Sequence, residues 1–393
     1  MDFEFDDTAR AVIDAATAFL DGEIAPHAAQ YREHMVPKER MHALLRSLAP
    51  FGFFGTLIPE EAGGSGLDFT TSIRLYEELF RVFPALAGTA FVNQMVGYGL
   101  HMDGTDEQKR RYLPGLLTGE RIGCQAATEP EAGSNPKDIR MRAAAERGGF
   151  RLKGRKVWIS NGSIADFCIA LVRTDDGQTN RMIIDRDGYS ARELETLGQR
   201  GWSTAELLFD DTWVSEGNRM TGAGAGAQQT LRDFTVARCF AATMAVGTAR
   251  AALDAAVDYA RSRHQWGKPI GQHQLIQEMV ADMATELDCA RLLTYRAAWM
   301  VQGGRRADTQ ASMAKYYASE AALRIASKAV QIHGALGLSR DLPVESYFRD
   351  ARMISIPDGT TQLQQLIIAR NLLGMAAFTD AGAGRAQPAG RAA

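Results

Sequence analysis

Between residues 122 and 213 the chain breaks into short apolar segments, and no other feature constrains its fold as tightly. Strand-like stretches at 122–127, 143–152, 156–160, 167–173, 181–185 and 206–213 are punctuated by the turn-forming pairs Gly148-Gly149, Asn161-Gly162 and Asp176-Gly177. They recur too closely for crossover helices to fit between them. That argues for an antiparallel β unit and against a parallel Rossmann sheet. On both sides the apolar spacing turns helical. Residues 3–28 carry Ala11, Val12, Ala15, Phe19 and Ile24, and 36–49 carry Met41, Leu44, Leu45 and Leu48. A loop of turn formers from Pro59 to Gly66 precedes helical stretches at 70–83, 86–102 and 106–117, the last with Asp106 as its expected cap. After Gly222 the helices are long. Val246, Ala249, Leu253, Val257 and Ala260 mark one face, Ile276, Met279, Met283, Leu287 and Ala290 another, and 308–337 and 360–374 complete four.

The expected fold class is therefore α+β and mostly α. An N-terminal helical domain spans 1–121, a middle antiparallel β domain 122–222 and a C-terminal four-helix bundle 223–377, with a disordered Ala/Gly/Arg tail at 378–393. A length of 393 residues fits two to three domains at about 150 each. Lys plus Arg number 44 against 47 Asp plus Glu, which leaves no basic footprint for nucleic acid or an anionic membrane. No apolar run approaches the ~18 residues of a span. The first residues are acidic, the reverse of a targeting signal. Cys124, Cys168, Cys239 and Cys289 are scattered, which suits core positions and a cytoplasmic location. His264, His273 and His333 lack metal-ligand spacing, so no metal is expected. The Gly222-Ala223-Gly224-Ala225-Gly226 run looks phosphate-cradling, but without a strand–turn–helix context it reads as a linker.

Four segments carry chemistry. Cys124-Gln125-Ala126-Ala127-Thr128-Glu129-Pro130-Glu131-Ala132-Gly133-Ser134-Asn135 delivers a hydroxyl residue from a strand into a tight turn, which suits a flat, hydrogen-bonding ring system. In Lys156-Val157-Trp158-Ile159-Ser160-Asn161-Gly162, strict alternation places Trp158 and Ser160 on one face, an indole wall beside a hydroxyl. The stretch from Arg261 to Ile270, with Arg263, His264 and Trp266, is a basic aromatic loop able to meet a diphosphate. Gln331-Ile332-His333-Gly334-Ala335-Leu336-Gly337 ends a helix in small residues that admit close backbone approach.

From about residue 3 to 374 this collinear set resembles the acyl-CoA dehydrogenase family of flavoproteins. The Pro59–Gly66 loop with Leu67, Gln108-Lys109 with Tyr112-Leu113-Pro114, and Arg349-Asp350-Ala351-Arg352 add to the likeness. The resemblance implies FAD between the β domain and the bundle. It assigns Gln125, Ala127 and Thr128 to the flavin ring, with Ser134 in the same turn at cofactor and substrate, and Trp158 and Ser160 on the neighbouring strand, Ser160 facing N5. It assigns Arg263, Trp266 and Gln274 to the diphosphate and adenosine, often of the partner subunit's cofactor, with Gln331 and Gly334 completing that shared site. Thr360 and Gln362 match residues that grip the cofactor from the final helix. A shared cofactor implies a homodimer or homotetramer, and the family's electron acceptor is an electron-transfer flavoprotein. Departures are Trp266 for Phe, Ser160 for Thr, Asn135 for Asp, and Ala335 for the second Gly of a pair.

The reaction implied removes an α-proton and a β-hydride from an acyl thioester, the hydride passing to flavin N5. Such a proton is weakly acidic, so the base must act in a dry site while the carbonyl oxygen is hydrogen-bonded. Most family members place a Glu before a Gly-Thr; here the segment is Ile356-Pro357-Asp358-Gly359-Thr360-Thr361-Gln362, with Asp358 at that position. Its backbone N–H is the implied donor to the thioester oxygen. Arg238 and Gly359 complete the implied substrate site, Arg238 beside the base. The alternative helix-borne base of some relatives is closed by Ala237. Asp-Gly-Thr before a helix is also an ordinary N-cap pattern. Three other readings stay open: a carrier-protein dehydrogenase, an oxygen-using oxidase that, like nitroalkane oxidases of this superfamily, uses an Asp base, and an FAD-binding scaffold with impaired chemistry.

Overall fold

The computed structural model describes residues 4–377, so the expected tail at 378–393 lies outside the described residues. Asp6 caps α1 (Asp7–Phe19) by accepting the Ala9 N–H at 2.8 Å. A π turn at Leu20–Ile24 then carries the chain into α2 (Ala25–Ala28). Next come α3 (Lys38–Leu48), α4 (Phe69–Val82), α5 (Pro84–Asp103) and α6 (Asp106–Leu117). The cap of α6 is Thr105 rather than Asp106. Its hydroxyl accepts the Gln108 N–H while the Gln108 amide oxygen accepts the Thr105 N–H, a reciprocal box that Asp106 would not form with its own N3 residue. Gln108 Nε2 also donates to Gly217 O and Arg219 O, and Tyr112 OH to Asp185 Oδ1, so this motif ties the first helices to the sheet.

Seven strands form the central sheet: β1 (Gly123–Ala126), β2 (Arg142–Glu146), β3 (Gly149–Ser160), β4 (Phe167–Thr174), β5 (Thr179–Asp185), β6 (Ser190–Glu193) and β7 (Thr204–Ser215). The expected antiparallel unit is in fact mixed, because β1 and β2 both run parallel to β4. The expected strand at 143–152 is a hairpin: Gly148, at φ 78, turns β2 back into β3. The short strand β6 carries no alternation that would announce it. It is held by pairing to β7, which is a tertiary effect.

The C-terminal region is built on α7 (Gly226–Ser262), α8 (Gln274–Gln302), α9 (Asp308–His333) and α11 (Thr361–Leu373). A two-strand hairpin, β8 (His264–Gln265) and β9 (Lys268–Pro269), separates α7 from α8. A short further helix, α10 (Val344–Ile354), joins the four that were expected. The glycine-rich run before α7 is tethered to β5 through Gly224 N–H to Asn180 Oδ1 at 3.0 Å. Ion pairs cross the three regions: Arg181 of β5 reaches Asp103 of α5 and Asp233 of α7, each at 2.6 Å. Three cysteines are buried as expected, but Cys289 is exposed on α8, whose outward face has no covering element among the described residues. Among the described residues no helix is long and apolar enough to cross a membrane.

Candidate active site

The turn between α10 and α11 concentrates the unusual geometry. Thr360 caps α11, its Oγ1 accepting the Leu363 N–H at 3.3 Å, so the capping reading of Asp358 does not hold. Asp358 sits at φ 55 and Gly359 at φ 91. A left-handed aspartate costs roughly 1 kcal/mol or more, which the surroundings must offset. They do so through the carbonyls. Gln364 Nε2 donates to Asp358 O at 3.1 Å and to Gly359 O at 2.9 Å, and Lys315 Nζ donates to Gly359 O at 2.8 Å. Thr361 N–H closes the turn on Ser355 O. With its carbonyls pinned inward, the turn keeps the Asp358 and Gly359 N–H groups unengaged among the described residues.

The electrostatics are those of a poorly solvated carboxylate between two cations. Burial raises the Asp358 carboxyl above its ordinary range, and Lys315 and Arg238 pull it back. Arg238 lies on α7 and is only 6 % exposed, with a buried Nε that has no hydrogen-bond partner among the described residues. Burial depresses its guanidinium against the pull of Asp358. Lys315 is fully buried on α9, and desolvation pushes it down to about 8 despite Asp358 and Glu320. Such a carboxylate is a better proton acceptor than one in water, provided the cations keep it ionised.

A second group forms where β1 meets β3. Lys156 Nζ donates to Glu129 Oε1 at 2.8 Å and Ala127 O at 3.0 Å, while the same carboxylate accepts the N–H groups of Arg140 at 2.5 Å and Met141 at 2.9 Å. This buried knot fixes the turn after β1. Burial pushes Lys156 to about 8 even with Glu129 beside it. Val157 N–H then donates to Thr128 O at 3.0 Å, bringing Thr128 beside β3. Strict alternation fails here. Between the pairs Lys156/Leu207 and Ile159/Ala205, β3 has one residue more than β7, and the extra residue bulges. Lys156 and Ile159 are both buried, whereas Trp158 stands at φ 60 and is 60 % exposed. The bulge, not the two-residue period, therefore aims Trp158 outward. Ser160 is half-buried opposite Thr204. Gln125 Nε2 donates to Met95 O, and Gln125 and Ala127 face Thr230 of α7 across a cavity of about 10 Å³. Ser134 is exposed, and Asn135 caps the following turn by accepting the Lys137 N–H at 3.2 Å.

Helix α7 spans both groups. Thr230 faces Gln125 and Ala127, and Arg238, eight residues on and about 12 Å along the axis, is within electrostatic reach of Asp358. No hydrogen bond joins the two groups among the described residues. The third set sits elsewhere, at the other end of the bundle. The Tyr259 ring stacks on His333 at 4.3 Å, so the end of α7, which leads into Arg263, packs against the end of α9, which carries Gln331 and leads into Gly334. Arg263, Gln274, Gln331 and Gly334 are exposed, and Trp266 at the β8–β9 tip is 90 % exposed at φ 54. Gly334 has φ 60 and open space where a Cβ would stand. Gln362 is exposed on the first turn of α11.

Two residues absent from the motif reading, Lys315 and Gln364, hold the Asp358 turn. Lys315 had a legible signal, since it falls on the apolar face of α9 marked by Ala311, Ala318 and Ala322. Gln364 had none, because its role depends on where the turn folds back.

By its likeness to characterised relatives, the chain is an oxidoreductase acting on CH–CH groups. The chain belongs to the acyl-CoA dehydrogenase family: its N-terminal, middle and C-terminal domain models match residues 6–120, 124–212 and 224–373. An acyl-CoA dehydrogenase of Bacillus subtilis (strain 168) is 38% identical over 364 residues, covering 91% of this chain and 95% of that protein. The structure of butyryl-CoA dehydrogenase from Megasphaera elsdenii superposes with a TM-score of 0.90 at 30% identity, covering 95% of this chain and 100% of that one. A glutaryl-CoA dehydrogenase from Mycobacterium smegmatis in complex with FADH2 gives 0.90 at 26% identity, covering 95% and 97%.

Proposed function

We propose that the protein is an FAD-dependent dehydrogenase that removes the α-proton and β-hydrogen of an acyl thioester borne by coenzyme A or a carrier protein. One observation carries the reading: a half-buried, poorly solvated carboxylate, free of capping duty, feels the charges of Lys315 and Arg238 on a turn whose own N–H groups are unengaged among the described residues. Asp358 takes the α-proton. The Asp358 N–H donates to the thioester oxygen as negative charge develops there, and Arg238 keeps the carboxylate ionised. Ser134 and Gly359 line the substrate's approach.

FAD, when bound, supplies the acceptor for the β-hydrogen. Several features support its fit. The Trp158 indole is thrust outward, and the Thr128 and Ser160 hydroxyls have no partner among the described residues. Gln125 and Ala127 belong to the same wall. Thr360 retains its O–H donor while its oxygen caps α11, and Gln362 is open to grip the cofactor. The exposed set Arg263, Trp266, Gln274, Gln331 and Gly334 suits the diphosphate and adenosine of a partner subunit's cofactor in a homodimer or homotetramer. An electron-transfer flavoprotein is the acceptor in this reading.

Purified protein should bind FAD and be bleached anaerobically by at least one of butyryl-, octanoyl-, glutaryl- and 3-phenylpropionyl-CoA. Asp358→Asn should retain FAD and lose bleaching. Unchanged bleaching in that variant removes Asp358 as the base. Oxygen consumption without another acceptor indicates an oxidase, and bound FAD that no thioester bleaches indicates a scaffold.

A further inference from the structure

Helix α10 runs directly into the turn that carries Asp358, and eight residues before that base lies Asp350, 7 % exposed. Its Oδ1 accepts the Gln199 N–H at 2.5 Å, across the boundary between the C-terminal helices and the β region. The Gln199 turn is shaped for this contact. Gln199 stands at φ 56, and a Cβ on Gly198 would collide with Arg349 O and Asp350 N. Arg349 Nη1 donates to Leu197 O at 3.1 Å, and Arg349 and Arg200 both pair with Glu33 at 2.6 Å. All three regions of the chain therefore meet here. Just beyond Gln199, β7 begins at Thr204, and Thr204 and Ala205 pair with Ser160 and Ile159 on the strand that presents Trp158.

The joint is not packed solid. Gln199 is 5 % exposed, yet neither end of its side-chain amide has a hydrogen-bond partner among the described residues. It borders a cleft of about 50 Å³ beside Tyr31, Phe83 and Tyr347. Buried amides are ordinarily satisfied, so the side chain contributes no direct bond that would hold the turn in register. The contact through Asp350 and the Arg349 pairings perform that task, and the cleft leaves the turn room to move once it is released.

We propose that Asp350 is a positioning residue for the reaction: by clamping the Gln199 turn it sets the distance between the Asp358 carboxylate and the β3 wall formed by Trp158 and Ser160. The inference rests on the dehydrogenase reading above. A displacement of about 1 Å can cost on the order of a hundredfold in rate.

The test uses the full chain loaded with FAD, mixed anaerobically with whichever of the four acyl-CoAs bleaches the wild type. Asp350→Ala should lower the limiting bleaching rate about tenfold or more, with half-saturation shifted less than about threefold and FAD content unchanged. Asp350→Asn keeps an acceptor oxygen and should recover the rate to within about threefold. In hydrogen exchange without substrate, peptides over 197–204 and 350–360 should exchange about tenfold faster in Asp350→Ala, with those of α9 unchanged. A wild-type rate in Asp350→Ala, equal slowing in the Asn variant, or unaltered exchange in both segments overturns the proposal. Should Asp350→Ala fail to fold, Gly198→Ala opens the same joint from the other side, and a wild-type rate there overturns it equally. Failure of the dehydrogenase reading would show separately, as a wild type that no thioester bleaches.

Discussion

Replacing Lys315 with methionine separates the electrostatic from the structural duty of the Asp358 turn. The ammonium donates to Gly359 O at 2.8 Å and is one of two cations opposing the burial of Asp358. An opposite charge nearby favours the ionised form of a carboxyl and so lowers its pKa. Arg238 stays in place, so removing Lys315 should raise the pKa of the base further without leaving it unopposed. Stability should change little, for two reasons. Gly359 O keeps the Gln364 amide at 2.9 Å, so no carbonyl is orphaned. The lysine itself is held at about 8 by desolvation, and a methionine of similar length avoids that cost. Because the base works unprotonated, the bleaching rate climbs as pH rises through its pKa. The acid limb of the pH–rate profile, measured by anaerobic stopped flow, should therefore move to higher pH. The melting temperature should stay close to wild type. A lowered melting temperature with an unmoved acid limb would refute the argument and make Lys315 a strut.

Other consequences can be measured independently. Glu129→Gln leaves the Lys156 ammonium buried without its counter-ion, so the chain should lose about 3–5 kcal/mol of stability in urea titration and release FAD more readily. A loss below ~1 kcal/mol would show that the Lys156–Glu129 knot does not hold the turn after β1. Lys315 is depressed from 10.5 to about 8 in the folded chain, so between those values the unfolded chain holds a proton that the folded chain has released. Stability attributable to this site is therefore low below pH 8 and rises up to pH 10.5, by at most ~3 kcal/mol relative to Lys315→Met. A flat difference between wild type and variant across that window would contradict the buried, charged lysine.

What the linear sequence determined by itself was local or collinear. Apolar period marked four of the five C-terminal helices, Thr360 and Gly374 stood at the ends of α11, and the change of texture at residue 122 announced the sheet. The motif series placed Asp358 and Arg238 in one site, and the charge of each acts on the other. What tertiary structure alone decided depends on contacts between residues far apart in the chain. The direction of β1 beside β4 is invisible locally, because a strand's alternation is the same whichever way its neighbour runs. Trp158 points outward because β7 offers one residue fewer than β3, a mismatch that exists only once the two strands pair. The left-handed backbone of Asp358 is likewise set from outside, by Lys315 and Gln364 drawing its turn's carbonyls inward. The carboxylate was legible in the sequence. Its freedom from capping, and the two cations and bared N–H groups around it, came from the folding of distant helices onto one turn.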